Sequence, residues 1–199
     1  MNEITVKINC SIEEIKELLE DKGFNIINKY LVDDTYYIAK DVKIDKASIK
    51  TILSDYILIR DIQQYDKELI NRHKILKITY KHKNIAPNGE IVNQEKYDCE
   101  IENILDGHTL LTAMGYKRLM NIKEKAIEYS NNDITLIVKD VENGEKLIEL
   151  EIDDKNPSLN TIDKLKQKIN ELNIPIDKSN FFVKKAEIEL KKVLEIYND

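Results

Sequence analysis

Glycine is scarce in this 199-residue sequence, five in all, and none sits in a GxGxxG or P-loop arrangement. Backbone cradles for phosphate depend on such glycines, so any phosphate bound here must be held by side chains. The two cysteines, Cys10 and Cys99, lack CxxC spacing. That excludes a disulfide framework and points to a reducing compartment. The histidines His73, His82 and His108 are scattered, which excludes a zinc site of His/Cys type. Long apolar runs are also missing: Tyr56–Ile59 and Ile134–Val138 are far too short to span a bilayer. The first residues read as a strand, with no charged start leading into an apolar core, so no signal peptide is expected. Nor is there an excess of positive charge. A net charge of −6 and a pI near 5.3 argue against general nucleic-acid binding. The expectation is a soluble, cytoplasmic protein with neither a nucleic-acid nor a membrane partner.

Charge is abundant, at 34% of residues, and it is patterned. Charged residues recur at every second position, beginning with Glu3, Thr5 and Lys7 and continuing as like-charged pairs: Lys81 and Lys83; Glu100 and Glu102; Lys123 and Lys125; Glu149 and Glu151. Side chains two apart on a strand share a face. Any one of these pairs reads as the wet face of a half-buried antiparallel sheet. Strands built for solubility or cross-strand pairing would mix signs, however, and like charges two apart repel unless a counter-ion is present. Paired carboxylates select hard cations such as Mg²⁺ or Mn²⁺, and paired cations select anions.

The strands implied by alternation are 3–9, 25–30, 35–39, 56–62, 75–83, 95–102, 121–129, 134–141 and 146–152. Asp33-Asp34 is expected to turn a hairpin, 63–72 to loop out, and Ala86-Pro87-Asn88-Gly89 to turn. Asn143-Gly144 is a standard hairpin signal. Ser11-Ile-Glu-Glu14 is a capping box that opens a helix closed by Gly23. Further helices are expected at 44–54, 104–114, 161–173 and 179–197. Each helix must bury its apolar stripe, and the apolar side of the strands is its natural partner. The charged side is then either an open wet face or the lining of a closed barrel, and closure would also remove exposed edges.

The order of the pieces resembles the CYTH superfamily, the triphosphate tunnel metalloenzymes, which includes class IV adenylyl cyclases, thiamine triphosphatases and inorganic triphosphatases. Glu3-Ile-Thr5-Val-Lys7 resembles a degenerate copy of the Glu-x-Glu-x-Lys hallmark. Asp34-Thr-Tyr-Tyr37, Ile57-Leu-Ile-Arg60 and Leu76-Lys-Ile-Thr-Tyr-Lys81 are similar to the strands that follow. Glu100-Ile-Glu102, Lys123-Glu-Lys125, Val138-Lys-Asp140 and Glu149-Leu-Glu151 resemble the midchain and closing motifs. Lys178-Ser-Asn-Phe181 resembles the segment that begins the last helix.

The resemblance covers nearly the whole chain and implies an α+β fold: an eight-stranded antiparallel β-barrel forming a tunnel, with amphipathic helices packed outside. It implies a single domain over 1–199, with barrel strands and intervening helices in 1–154 and C-terminal helices in 155–199. Lys7, Arg60, Lys81, Lys123 and Lys125 would bind the triphosphate, with Lys7, Arg60 and Lys81 as the catalytic set. Glu3, Glu100, Glu102, Asp140, Glu149 and Glu151 would hold Mg²⁺ or Mn²⁺. The implied activity is metal-dependent hydrolysis of tripolyphosphate, thiamine triphosphate or a nucleoside triphosphate. Two alternatives stand beside it: a cyclase of the class IV type, and a non-catalytic tunnel that binds polyphosphate or nucleotide. The expected partner is a small-molecule triphosphate, and a homodimer is the assembly to test. Thr5 removes a negative ligand from the hallmark, and Lys125 stands for an arginine, whose bidentate fork a lysine cannot form.

Overall fold

The computed structural model describes residues 3–44, 47–66, 72–85 and 91–196. The first elements are β1 (Glu3–Lys7), α1 (Ile12–Asp21), β2 (Asn25–Ala39), α2 (Ile49–Ile52), β3 (Asp55–Asp66), β4 (Arg72–Ile85) and β5 (Ile91–Glu100). There follow α3 (Ile104–Ala113), β6 (Tyr116–Ser130), β7 (Thr135–Val141), β8 (Lys146–Glu151), α4 (Ile162–Glu171) and α5 (Lys185–Ile196). The eight strands form one antiparallel sheet in the order β1-β8-β7-β6-β2-β3-β4-β5. Strand number and antiparallel pairing are those expected of the tunnel. Closure by hydrogen bonds between the end strands is not present among the described residues.

The outer edge of β1 has another use. Thr5 N–H donates to the Phe181 carbonyl at 3.0 Å, and Val183 N–H donates to the Thr5 carbonyl at 3.0 Å. Asp177 N–H reaches the Lys7 carbonyl at 2.9 Å, and Asn9 N–H the Pro175 carbonyl at 2.8 Å. The segment 175–183 thus runs along β1 rather than starting the last helix, which begins only at Lys185.

Contacts divide the chain into two compact units whose boundaries fall inside β2, β3, β4 and β6. Unit 1 comprises Met1–Leu31, Gln64–Arg72 and Glu124–Lys184; unit 2 comprises Val32–Gln63, His73–Lys123 and Lys185–Asp199. In unit 1 the predicted capping box is formed. The Glu14 N–H donates to Ser11 Oγ at 3.1 Å, and the Ser11 N–H to Glu14 Oε2 at 2.8 Å. Gly23, at φ +79°, ends α1 in the left-handed conformation that glycine tolerates. Ile15 and Leu19 of α1 and Leu165 and Ile169 of α4 bury against Ile4, Val6, Leu136, Val138, Ile148 and Leu150 of the strands. In unit 2, Leu111 of α3 packs with Tyr37, Ile57 and Ile59. Gly107 lets α3 approach closely, since a Cβ there would lie 2.9 Å from Ile101 Cδ1.

Several expected boundaries move. β2 runs unbroken through Asp33-Asp34, because Asp34 is buried against an arginine instead of turning the chain. Residues 63–66 continue β3, while 67–71 and the turn 86–89 lie outside the described residues. The helix expected at 44–54 contracts to four residues behind its Ser48 cap. No helix among the described residues is long and apolar enough to cross a membrane.

Ile148 is fully buried between the two helices and the sheet of unit 1. Ile148→Ala should therefore cost about 2–5 kcal/mol. The check is the urea midpoint, with the slope of the transition unchanged.

Candidate functional site

In unit 1 the cross-strand register decides which charges share a face. Glu3 lies opposite Glu151 and Thr5 opposite Glu149 on β1–β8. Glu149 in turn lies opposite Ile137, and Leu147 opposite Lys139, on β7–β8. Ala126 faces Lys139 and Glu128 faces Ile137 on β6–β7. Directly paired residues point the same way. Glu3, Thr5, Lys7, Glu149, Glu151, Lys139, Glu124 and Glu128 therefore lie on one face, while Ile4, Val6, Ile148, Leu150 and Val138 fill the core on the other. Lys125 and Asp140 are a directly opposed pair on the core-side face. The sequence expectation that they line the same surface as Glu149 is corrected by this register. Leu136, Val138 and Tyr129 are dry, and strand parity puts Lys125 and Asp140 on their side of the sheet, where Lys125 is exposed and Asp140 half-buried.

What takes the place of Asp140 on the acidic face is Lys139. Its Nζ donates to Glu149 Oε2, with the two side chains 17% and 14% exposed. Burial pulls the Lys139 ammonium down, but the charges of Glu149, Glu124 and Glu3 outweigh that and hold it above the ordinary lysine value. Glu124 itself is buried. Glu128 accepts from Asn28 Nδ2 at 2.7 Å and from the Tyr30 hydroxyl at 2.8 Å, and the Tyr30 phenol is pushed up to about 12 by burial and by that carboxylate. Lys7 Nζ meets Glu145 at 2.8 Å. A cavity of about 420 Å³ opens here, lined among others by Glu128, Ile137, Glu149, Glu151 and Asp153.

These donors do not fit a shared divalent ion as they stand. Among the described residues no group of three or more His, Cys, Asp or Glu side chains is placed to hold a metal. Glu149, the central carboxylate, already accepts from an ammonium. Glu100 and Glu102 belong to unit 2. Glu100 ends β5 opposite Lys77, and Glu102 lies beyond the strand, one residue before the Asn103 cap of α3.

Unit 2 holds the opposite arrangement, cations around one buried carboxylate. Asp34 accepts two hydrogen bonds from Arg60, Nε at 2.8 Å and Nη2 at 3.1 Å, with Lys185 Nζ at 4.0 Å. This is the bidentate fork that suits a guanidinium. Lys81 lies opposite Lys96 on β4–β5. Its ammonium is pulled down to about 8, first by burial and then by the charges of Arg60, Lys83 and Lys96. Lys83 Nζ also sits 5.4 Å from the Tyr56 ring centroid, and Tyr56 stacks on Tyr36. Asp98 accepts from Thr79 Oγ1 at 2.6 Å and from Lys77 at 3.1 Å, with Lys96 at 3.2 Å. Burial alone would raise its carboxyl, but these donors hold it well below the usual carboxylate range. Lys123 lies 3.6 Å from Asp33 instead. Asn121, two residues before it on β6, donates to Asp33 and to Thr35.

Solved structures match over nearly the whole chain, three of which serve as examples. The PH1819 protein from Pyrococcus horikoshii OT3 is 20% identical with a TM-score of 0.61, covering 96% of this chain and 98% of that one. HpAC1 from Hippeastrum, a candidate adenylyl cyclase with a dominant triphosphatase activity, is 13% identical with a TM-score of 0.60, covering 97% and 96%. A candidate adenylate cyclase from Vibrio parahaemolyticus is 10% identical with a TM-score of 0.59, covering 98% of each. The chain shares their fold. No family model matches the sequence, and no curated protein matches it.

The sequence pattern names Arg60, Lys81, Glu3, Glu149 and Glu151 as candidates, and it does not name Lys139, Glu124, Lys96 or the pairing of Asp34 with Arg60. One signal was available for Lys139. Counting back across the Asn143-Gly144 hairpin from Glu149 keeps odd residues of β7 on the acidic face. No comparable signal existed for Glu124, since the turn between β6 and β7 carries no residue pair that sets its register.

A lysine held below its unfolded value is charged in the folded protein only below about pH 8, so the cost of that charge is fully present there. The cost fades as pH climbs from about 8 toward 10.5. Lys81→Met should be more stable than the parent near neutral pH by up to roughly 3 kcal/mol. The difference should shrink as pH rises through that window, as read by urea unfolding of both proteins side by side.

Proposed function

We propose that this chain binds a triphosphate through the cations of unit 2, with tripolyphosphate, thiamine triphosphate and nucleoside triphosphates as candidate ligands. The observation that carries the reading is Lys81. Its ammonium is partly buried among Arg60, Lys83 and Lys96, at a cost that a polyanion would relieve. Buried Asp34 has the part of an orienting group. It fixes the Arg60 guanidinium on β3, so that no rotamer freedom is lost there on binding. Glycine-poor backbone leaves side chains as the donors, and this cluster supplies them. Lys7 and Lys123, which the family resemblance also offers to the anion, are matched to Glu145 and Asp33.

A second reading, hydrolysis of the bound triphosphate, is favoured by the shared fold with the Hippeastrum protein and its dominant triphosphatase activity. Fold alone does not fix activity. The two readings separate by product analysis: released phosphate marks a hydrolase, cyclic AMP from ATP marks a cyclase, and binding without product marks a binding protein.

Titration calorimetry with tripolyphosphate at low ionic strength should give saturable binding. Arg60→Ala and Lys81→Met should each weaken it at least tenfold, which corresponds to about 1.4 kcal/mol. Above pH 8 the binding heat should depend on the buffer, because Lys81 must take up a proton to meet the anion. Absence of saturable heat with all three ligand classes ends the proposal.

A further inference from the structure

On the acidic face of unit 1, we infer that the ammonium of Lys139 is a resident counter-ion that does the work a divalent metal would do for Glu149 and its neighbours. The inference rests on three placements and is independent of the anion site in unit 2. First, the β7–β8 and β6–β7 registers put Lys139 on the face that carries Glu3, Glu149, Glu151 and Glu124. Second, Lys139 Nζ donates directly to Glu149 Oε2, and both side chains are largely shielded from water. Third, Glu149 lies opposite Thr5, where a further carboxylate would have added a negative ligand and a hydroxyl does not. One carboxylate fewer and one cation more bring the face closer to neutrality without an ion from solution.

The electrostatics agree with that geometry. Beyond the hydrogen-bonded Glu149, the charges of Glu124 and Glu3 also favour the Lys139 ammonium, so carboxylates on three strands act on it. A divalent ion seeking Glu149 must displace an ammonium that is already desolvated and hydrogen-bonded. Dehydrating Mg²⁺ or Mn²⁺ for that exchange gains nothing that the lysine does not already supply. Removing the ammonium should reverse the balance. Without that ammonium Glu149 loses its donor, and like charges in a shielded face then raise the affinity for a hard cation.

The test is Mn²⁺ binding followed by electron paramagnetic resonance on the whole protein near neutral pH, with thermal unfolding in MnCl₂ set against NaCl of equal ionic strength. The wild type and Glu149→Gln should give the same Mn²⁺ titration, and MnCl₂ should move the wild-type melting temperature no more than NaCl does. Lys139→Met should melt lower than the wild type, recover in MnCl₂ but not in NaCl, and show Mn²⁺ binding that the wild type lacks. The inference is overturned if wild-type protein binds Mn²⁺ and Glu149→Gln weakens that binding. It is equally overturned if folded Lys139→Met gains no affinity for Mn²⁺. Should Lys139→Met fail to fold, the comparison of wild type with Glu149→Gln decides alone.

Discussion

Everything described in unit 1 follows from the need to keep one side of β1, β7 and β8 dry. Ile4, Val6, Leu136, Val138, Ile148 and Leu150 bury against α1 and α4, and the side-chain period of a strand leaves no freedom in what the other side carries. A slip of one residue would put Lys139 and Glu149 into hydrocarbon. The hydrophobic term therefore chooses the electrostatics, and the charged face has to balance itself with whatever residues it is dealt. Lys139 against Glu149 is that balance. A pair so shielded adds little net stability relative to an apolar pair, but breaking it by removing one partner leaves a costly lone charge.

The two units solve mirror-image problems. In unit 1 carboxylates gather around a shielded ammonium; in unit 2 cations gather around a shielded carboxylate, Asp34. The outcomes differ in strain. Lys139 is held above the ordinary lysine value, which means its surroundings favour the charge. Lys81 is held below it, which means its surroundings resist the charge. Mutually satisfied charges need nothing further to balance them, whereas mutually opposed ones keep a cost that an added counter-charge would lower.

Much of the fold was legible because periodicity reports burial. The capping box of α1, the Asn143-Gly144 hairpin and the stripes of α1 and α4 all stand where alternation and spacing put them. Asp33-Asp34 misled because acidic pairs favour turns in general, and no local rule reveals that Arg60, far along the chain, buries one of them. The charged pairs were legible as strand faces, but not as which face. Lys123 and Lys125 read as a lining, but the register with β7 puts Glu124, the buried residue between them, on the face that carries Lys139. Parity across a turn is a long-range fact wherever the turn residues do not dictate their own geometry. The face of β8 therefore follows from its hairpin, whereas that of β6 does not.

The strap of residues 175–183 along β1 has a bearing on how this protein survives at high concentration. A strand at the end of a sheet presents a row of unsatisfied donors and acceptors to any other chain it meets. Here the Thr5 and Lys7 backbone groups are taken by the polypeptide's own later residues, so this edge offers no template for intermolecular pairing. Synthesis delivers that guard after all eight strands. Until the ribosome has released residues beyond 183, a nascent chain with β1 and β8 already paired carries a bare edge. Stalled or clipped products ending before Pro175 are thus the species that self-association and chaperone capture would select.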